Sequence, residues 1–599
     1  MTGQLFGWTG RYLRVDLSTG ASENLPLPED IRQTFLGGRG LGGFFLRDFA
    51  TLPCDHPDMP LIIASGPLTG TNSPASSRCH IMSRSPLTGA IGDASVGGRL
   101  GLELKHAGYD ALVVTGQANT PCGIEIDDHE VRFTDATNLT GLPTPDVFAK
   151  LRAHRPTGCI ATTGPAAENG CRFASIMVDT YHSAARCGLG LVAGLKNLKY
   201  IAVRGTGATQ VADPAGLAAA VEDIERLANA SPALMGQHGF ARYGTGSLYD
   251  LMDSRRMMPT DNFARTHFPP APGINAYAYA QRYHPVRRGC PGCLVQCKGL
   301  SGDGRPLPEY EAMSHFTALI GNEMIELAMR ATDFCACLGL DPVSAASTLA
   351  CHRERTGEDY GPDRVLALLL GMATSQGPEA ELGRELGQGA ASYAASHGRP
   401  DLAMSVKGLD LPAYDPRGAY GLALSYAVST QGGSHLRANP LSHEVLRKPV
   451  ATDRFSFSGK ARSIKSAEDM LAAADSLPIC RHLLLAASLE EYAKAFAAVT
   501  GLPATAGDLL LAGERICMQE RLLNAQNGFT AKDDDLPQRF FTESGSGAPD
   551  LPVPPIPRQD FLAARAAYYR IRGLDLNGLP TRDTVQRLGL PWPKQWERA

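Results

Sequence analysis

Short runs that are alternating or wholly apolar dominate the first 210 residues. RYLRVDLSTG alternates and then turns, while PLIIASGPLTG, DALVVTGQ, CGIEIDDHEVRF, GCIATTG and LKYIAVRG are bounded by Gly, Asp or Asn. Period two and tight turns predict a β-rich domain over residues 1–210. Near residue 213 the texture changes. In PAGLAAAVEDIERLANA, Leu217, Val221, Ile224 and Leu227 recur at helical spacing, and helix patterns prevail from there on. The Pro-, Gly- and Asp-rich stretch GLDLPAYDPRG divides this remainder into two mainly helical domains, 211–415 and 416–599. A polar segment, TESGSGAPDLPVPPIPRQD, precedes a final amphipathic helix in FLAARAAYYRIRG. The predicted fold class is α+β, with a β-rich N-terminal domain followed by two mainly α-helical ones and no internal repeats.

At 599 residues the chain is long enough for three or four separately buried cores. A net charge of −4, with no block of Lys and Arg, predicts no nucleic-acid partner. The first twenty residues have no basic region followed by an apolar one, and no apolar run approaches the roughly 20 residues that cross a bilayer. We therefore expect a cytoplasmic protein without a membrane span. Its fourteen cysteines should be mostly reduced thiols packed as small apolar groups.

Three of those cysteines change the picture. CPGCLVQCKG places Cys290, Cys293 and Cys297 where one tight loop turns three sulfurs toward a common point, and thiolates suit zinc or an iron–sulfur cluster. A fourth ligand must come from elsewhere, with Cys335, Cys337, Cys351, Cys480 and Cys517 as candidates. Cys335 and Cys337 share a helical segment but cannot share its face. Spacing alone leaves both the metal and the fourth ligand open.

The blocks FLGGRGLG, ASGPLTGTNSPASSR, SRSPLTGAIGDASVGG, HAGYDALVV, GPAAENGCRFASIMVD, GLKNLKYIAVRG, PEYE, GLDLPAYDPRGAYGLALSYA and QGGSHLRA follow one another in an order that resembles the tungsten-containing aldehyde:ferredoxin oxidoreductases. The resemblance implies a tungsten ion, or molybdenum in some relatives, held by two pyranopterins with no protein ligand to the metal. It implies a [4Fe–4S] cluster on Cys290, Cys293, Cys297 and Cys480, the last being the Cys of a D-x-x-G-L-C motif that begins at Asp475. Arg78 and Ser95 fall in segments that embrace pterin phosphates, and His182, Ser183 and Arg186 fall beside them, partly through a bridging Mg2+. The glycine-rich turns of SPLTGAIGDASVGG and AARCGLG suit close approach of backbone N–H groups to phosphate, and Arg78 and Arg186 can supply guanidinium forks to the same groups. Asp341 and Asp475 match the acids that meet the pterin rings, and Arg437 and Ile479 lie near the same cofactor.

Glu311, the second acid of PEYE, and His435 of GGSHLR match the substrate-side acid and base. Without the resemblance, Glu311 would read as a surface acid at a helix start and His435 as a loop histidine. His315, one turn beyond Glu311, has no counterpart in the pattern. The implied reaction is oxidation of an aldehyde to a carboxylic acid, with electrons leaving through the cluster to ferredoxin or an Fe–S partner subunit. Two rivals are a related tungstopterin enzyme acting on another substrate, such as an aromatic CoA thioester, and a non-catalytic electron-transfer protein.

Four positions depart from the pattern. Ser95 stands where Asn is frequent, Ala336 replaces the first acid of the D-x-x-G-L-D motif, and Pro478 replaces a glycine and should fix φ. We expect Asp333, or water, to replace the acid lost at Ala336. RATD, from Arg330 to Asp333, lacks the E-x-x-H pair of a dimer-bridging iron, so any homo-oligomer should form without that metal.

Overall fold

The computed structural model describes residues 5–302 and 304–597. RYLRVDLSTG opens as strand β1 (Arg11–Asp16), which buries Leu13 and Val15 and leaves Arg11 and Arg14 outside. β1, β2 (Ala21–Pro26), β3 (Leu61–Ala64), β4 (Cys79–Arg84), β5 (Ile91–Val96) and β6 (Ala111–Thr115) form a sheet in the order β2-β1-β6-β3-β4-β5. β7 (Cys122–Asp127), β8 (Glu130–Asp135), β9 (Cys159–Thr163), β10 (Ile176–Val178), β11 (His182–Ala184) and β12 (Leu198–Arg204) form a second, ordered β11-β10-β9-β12-β7-β8. Leu13, Ile81 and Val114 of the first sheet and Ile124, Ile201 and Val203 of the second belong to one apolar core. The β-rich N-terminal domain and the helical remainder are as the patterns predict.

β4 and β5 show neither sequence pattern, because CHIMSR and IGDASV are buried on both faces yet place polar residues, His80, Ser83 and Asp93, at buried positions and so are neither alternating nor wholly apolar. Their antiparallel register sets His80 opposite Ser95 and Met82 opposite Asp93. Polar groups therefore stand at depth in a central part of the fold.

In the helix Pro214–Ala230, capped by Asp213, Leu217 and Ile224 are buried and Val221 and Leu227 pack against the same cluster. The helix Arg558–Arg572 covers the expected C-terminal amphipathic stretch, but it is not the last one. Arg582–Arg587 follows it, a six-residue helix too short to show a period. Among the described residues no helix is long and apolar enough to cross a membrane.

Two N-terminal glycine loops seat on the far C-terminal segment. A Cβ at Gly38 would lie 2.2 Å from the Asp475 carbonyl oxygen, and one at Gly37 would lie 2.7 Å from that of Ser476. Pro478 does not take the φ its ring favours: it stands at +24°, in the region that a glycine would occupy without strain. Its ring lies where a Cβ on Gly66 would be 2.2 Å from Cδ, so the neighbouring loop holds the turn.

The helices Lys460–Ser476 and Ala506–Gln526 approach most closely at Gly513, where an added Cβ would fall 1.9 Å from the Asp469 carbonyl oxygen. Gly513→Ala should therefore destabilise the protein by about 1–3 kcal/mol, read as a lower thermal midpoint. Gly507→Ala on the same helix, where the nearest atom is 3.4 Å away, serves as the tolerated control.

Candidate active site

A cavity of about 460 Å³ lies between the β-rich domain and the helical remainder. Its wall includes Arg78, Ser95, His182, Ser183, Arg186, Glu311, Asp341, His435 and the four cysteines 290, 293, 297 and 480. Arg437, Asp475 and Ile479 stand behind that wall. Ile479 is a core side chain, 1% exposed.

Cys290, Cys293 and Cys297 sit on the loop between β13 (Val286–Arg288) and β14 (Lys298–Leu300), a two-stranded antiparallel ribbon. Cys480 arrives from the other side, its N–H donating to the Ala75 carbonyl at 2.9 Å. Burial alone would raise the Cys480 thiol, but His482, followed by Arg78, holds it down to about 6. Burial together with the neighbouring Cys480 pushes Cys293 up to about 11. Among the described residues no group of three or more His, Cys, Asp or Glu side chains closes to the size of a single-ion site. All four cysteines border the same cavity.

Arg78 is no surface arginine. Its Nε donates to Ser95 Oγ at 2.8 Å and its Nη2 to the Ser95 carbonyl at 2.7 Å, and its charge acts on Cys480, Cys290 and Cys297. Arg186 is also largely enclosed. Its Nη2 donates to the Asp410 carbonyl at 2.6 Å, while its Nε lies 3.6 Å from Asp341 Oδ2, too far for a hydrogen bond. Asp341 caps the helix Pro342–Thr356, accepting from Val343 N at 3.0 Å and Ser344 Oγ at 3.1 Å. Burial raises its carboxyl, and Arg186 opposes the shift.

Asp333 does not reach the cavity. Thr332 and Ala336, four residues apart and hence on one helix face, supply the wall there. Asp333 falls on the adjoining face, where its charge acts on Cys337. The Asp333 part of the expectation is therefore corrected: the side chain present beside Ala336 is Thr332, whose hydroxyl donates to the Ala328 carbonyl at 2.7 Å.

Glu311 lies in the first turn of the helix Tyr310–His315. Its Oε1 is 3.2 Å from His435 Nδ1, yet the pair is not aligned as a hydrogen bond, so Oε1 remains available to another donor. Burial pushes Glu311 up to about 7 against the pull of Arg186, and burial lowers His435 to about 3, helped by Arg481 and Arg186. Near pH 7 this is a neutral imidazole beside a carboxyl poised between its two forms, not a fixed ion pair. Tyr414 packs against the His435 ring, centroids 4.9 Å apart. His315 lies between two backbone carbonyls, of Glu311 at 2.9 Å and Leu411 at 3.2 Å; burial lowers it to about 4, and as a neutral ring it donates to only one of them.

Behind the cavity runs a closed ring of buried charges. Arg39 forks onto Glu520 at 2.7 and 2.8 Å and reaches Asp475 at 3.4 Å. Asp475 lies 3.7 Å from His80 Nε2, whose Nδ1 is 2.7 Å from Asp93. Asp93 accepts from Arg437 at 2.8 Å, and Arg437 closes the circle 3.7 Å from Glu520. Arg481 forks onto Asp475 at 3.0 and 2.8 Å and lines the cavity itself. The sequence reading missed His80, Asp93, Arg39, Glu520, Arg481 and His482. The one signal for Arg39 and Asp93 was a charge embedded in a glycine-rich apolar block. Glu520 reads as an ordinary surface acid of an amphipathic helix.

Arg437 Nε and Nη2, Arg186 Nε and Ser183 Oγ are buried donors without a hydrogen bond, although Arg186 Nε lies 3.6 Å from Asp341 and Arg437 Nη2 3.7 Å from Glu520. Unsatisfied buried donors cost about 1–3 kcal/mol each, so this set fits a ligand rich in acceptors, such as phosphate or a pterin ring. Such a cavity, ringed by guanidinium groups, bordered by four cysteines and holding a carboxyl beside an imidazole, has the make-up of an oxidoreductase that carries an organic metal cofactor and a cluster. Residues 12–205 match the family model for the N-terminal domain of aldehyde ferredoxin oxidoreductase, and residues 219–590 match that for its domains 2 and 3. The chain belongs to the aldehyde ferredoxin oxidoreductase family.

Among curated relatives, it is 34% identical to the tungsten-containing aldehyde ferredoxin oxidoreductase of Pyrococcus furiosus over 98% of this chain and 99% of that one. It is 33% identical to that of Thermococcus kodakarensis over the same shares. An aliphatic sulfonate oxidoreductase, WOR-like subunit, of Pyrococcus furiosus is 26% identical over 98% of this chain and 97% of that one. Among solved structures, the active site complex of benzoyl coenzyme A reductase with 1,5-dienoyl-CoA superposes with a TM-score of 0.84 at 20% identity, covering 98% of both chains. That likeness is one of fold.

Proposed function

We propose that this chain oxidises aldehydes to carboxylic acids and passes the electrons through a [4Fe–4S] cluster to ferredoxin or an Fe–S partner subunit. The observation that carries the reading is Glu311 beside His435 in the same cavity as Cys290, Cys293, Cys297 and Cys480. A tungsten bis-pyranopterin, with molybdenum the alternative metal, supplies two-electron redox chemistry when bound. Arg78, Arg186 and Asp341 would hold its pterins and phosphates from the cavity wall, with Ser95, His182 and Ser183 nearby and Arg437 and Asp475 supporting from the layer behind. For Mg2+, Ser183 Oγ is the freer oxygen, since Ser95 Oγ accepts from Arg78.

Glu311, as carboxylate, takes a proton from the water that becomes the second acid oxygen. His435, neutral, uses its ring N–H to orient the substrate oxygen. Burial excludes bulk water and strengthens both interactions. The apolar wall formed by Leu248, Met252, Leu441 and Val445 suits an aldehyde with an apolar body. The same wall would accept the aryl group of a CoA thioester, the second reading. We place the protein in the cytoplasm, where low-potential carriers and reduced thiols coexist.

Elemental analysis joined to an aldehyde panel with benzyl viologen as acceptor tests the reading. About one W or Mo and four Fe per chain, with aldehyde-dependent viologen reduction, supports it. Zinc alone, or a loaded protein inert to every aldehyde but active on an aryl-CoA thioester, overturns it. Cys480→Ser should lower the iron content and bleach the visible absorption of the cluster while the fold persists. Full iron in that variant would remove Cys480 from the ligand set.

A further inference from the structure

From Asn262 to Gly302 the chain contains no Asp or Glu, although acids outnumber bases overall, and five Arg or Lys fall in that stretch. This acid-free segment carries the three-cysteine loop. A second, open concavity of about 480 Å³ lies over it, lined by Arg287, Arg288, Gly289, Cys290, Gly292, Cys293, Leu294 and Gln296. Two thiols thus face both the buried cavity and the outside, through a wall that bears two guanidinium groups and no carboxylate.

Arg287 is anchored, donating to the Cys297 carbonyl at 3.2 Å, and Arg288 is exposed beside it. The nearby Arg282 is neutralised by Glu326, so the net positive charge is concentrated on the loop. Val286, at the start of the same ribbon, is one of six large apolar side chains left exposed among the described residues. An exposed apolar side chain, Val286, beside the exposed Arg288, with the buried Arg287 guanidinium behind it and no carboxylate facing it, has the composition of a transient electrostatic docking site.

We propose that the concavity over Cys290 and Cys293, rimmed by Arg287, Arg288 and Val286, docks an acidic single-electron carrier protein. This rests on the reading that the four cysteines hold a cluster through which electrons leave. Each aldehyde, with one water, yields a carboxylate, three protons and two electrons, so two oxidised carriers dock in turn and each departs reduced by one electron. Opposite charge accelerates encounter without tight binding, which suits rapid exchange.

The test uses the metal- and cluster-replete enzyme with an oxidised acidic ferredoxin as probe, and benzyl viologen as a small acceptor that needs no docking surface. At roughly 0.01 M ionic strength, where the Debye length is about 30 Å, Arg288→Glu should lower kcat/KM for ferredoxin about tenfold and leave the viologen rate unchanged. Raising the salt should slow wild type toward the variant. Equal ferredoxin rates in wild type and variant, or a wild-type rate indifferent to salt, overturn the docking site. Loss of viologen reduction in the wild type would instead overturn the aldehyde reading. Oxidised cytochrome c, a basic carrier, should show the reverse charge preference, and faster reduction of it by wild type than by Arg288→Glu would also overturn the proposal.

Discussion

Glu311→Gln enzyme, with its metal and iron content intact, should oxidise aldehydes about 10²–10⁴-fold more slowly than wild type. The amide keeps the shape of the side chain but cannot take a proton, so binding should survive while turnover fails. A fall in kcat with little change in KM is the expected signature. The wild-type pH profile carries a second signature. A base must be deprotonated to act, and burial pushes Glu311 up to about 7. The rate should therefore rise with pH through a midpoint near that value, and the variant should lose this limb. His435 is already neutral across that range, since burial lowers it to about 3, and should add no limb of its own. Wild-type turnover in a metal-replete Glu311→Gln protein would remove Glu311 from the chemistry.

The second large effect should be on stability. Glu520→Ala strips Arg39 of its forked partner in a place where both side chains are 1% exposed, and it leaves Arg437 with one fewer counter-charge. Breaking a buried pair from one side costs about 3–5 kcal/mol, which denaturant unfolding of the purified protein should show as a lower midpoint. The double change Arg39→Met with Glu520→Leu removes the orphaned charge along with its partner and should recover most of that loss. A single variant that unfolds like wild type would mean that the ring does not help hold the fold.

The comparison of sequence with structure turns on which residues had a local signature. Cys290, Cys293 and Cys297 were legible because their spacing alone brings three thiols to one loop. The strands with outward polar faces, such as β1, were legible because alternation reports a half-buried position. Strands buried on both faces, such as β3 and β6, were legible as apolar runs, but β4 and β5 were not, since buried His80, Ser83 and Asp93 break the run without making it alternate. Cys480 could not be chosen over Cys351 or Cys517 from spacing, and Glu311 and His435 looked ordinary; only the ordered motifs separated them. The partners of the ring were hidden for a different reason. Arg39 and Glu520 lie 481 residues apart, and a pairing at that separation leaves no periodicity in either neighbourhood.

That separation bears on how the protein becomes active. Arg39, His80 and Asp93 come from the first hundred residues, while Arg437, Asp475 and Glu520 come from the last two hundred. The links from Arg39 to Glu520 and from Arg437 to Asp93 each join the two ends, so the ring behind the cavity exists only once both ends of the chain have met. Contacts of such long range form late. The wall on which the cavity rests should therefore be among the last parts of the molecule to set, and a chain shortened at either end should lack it.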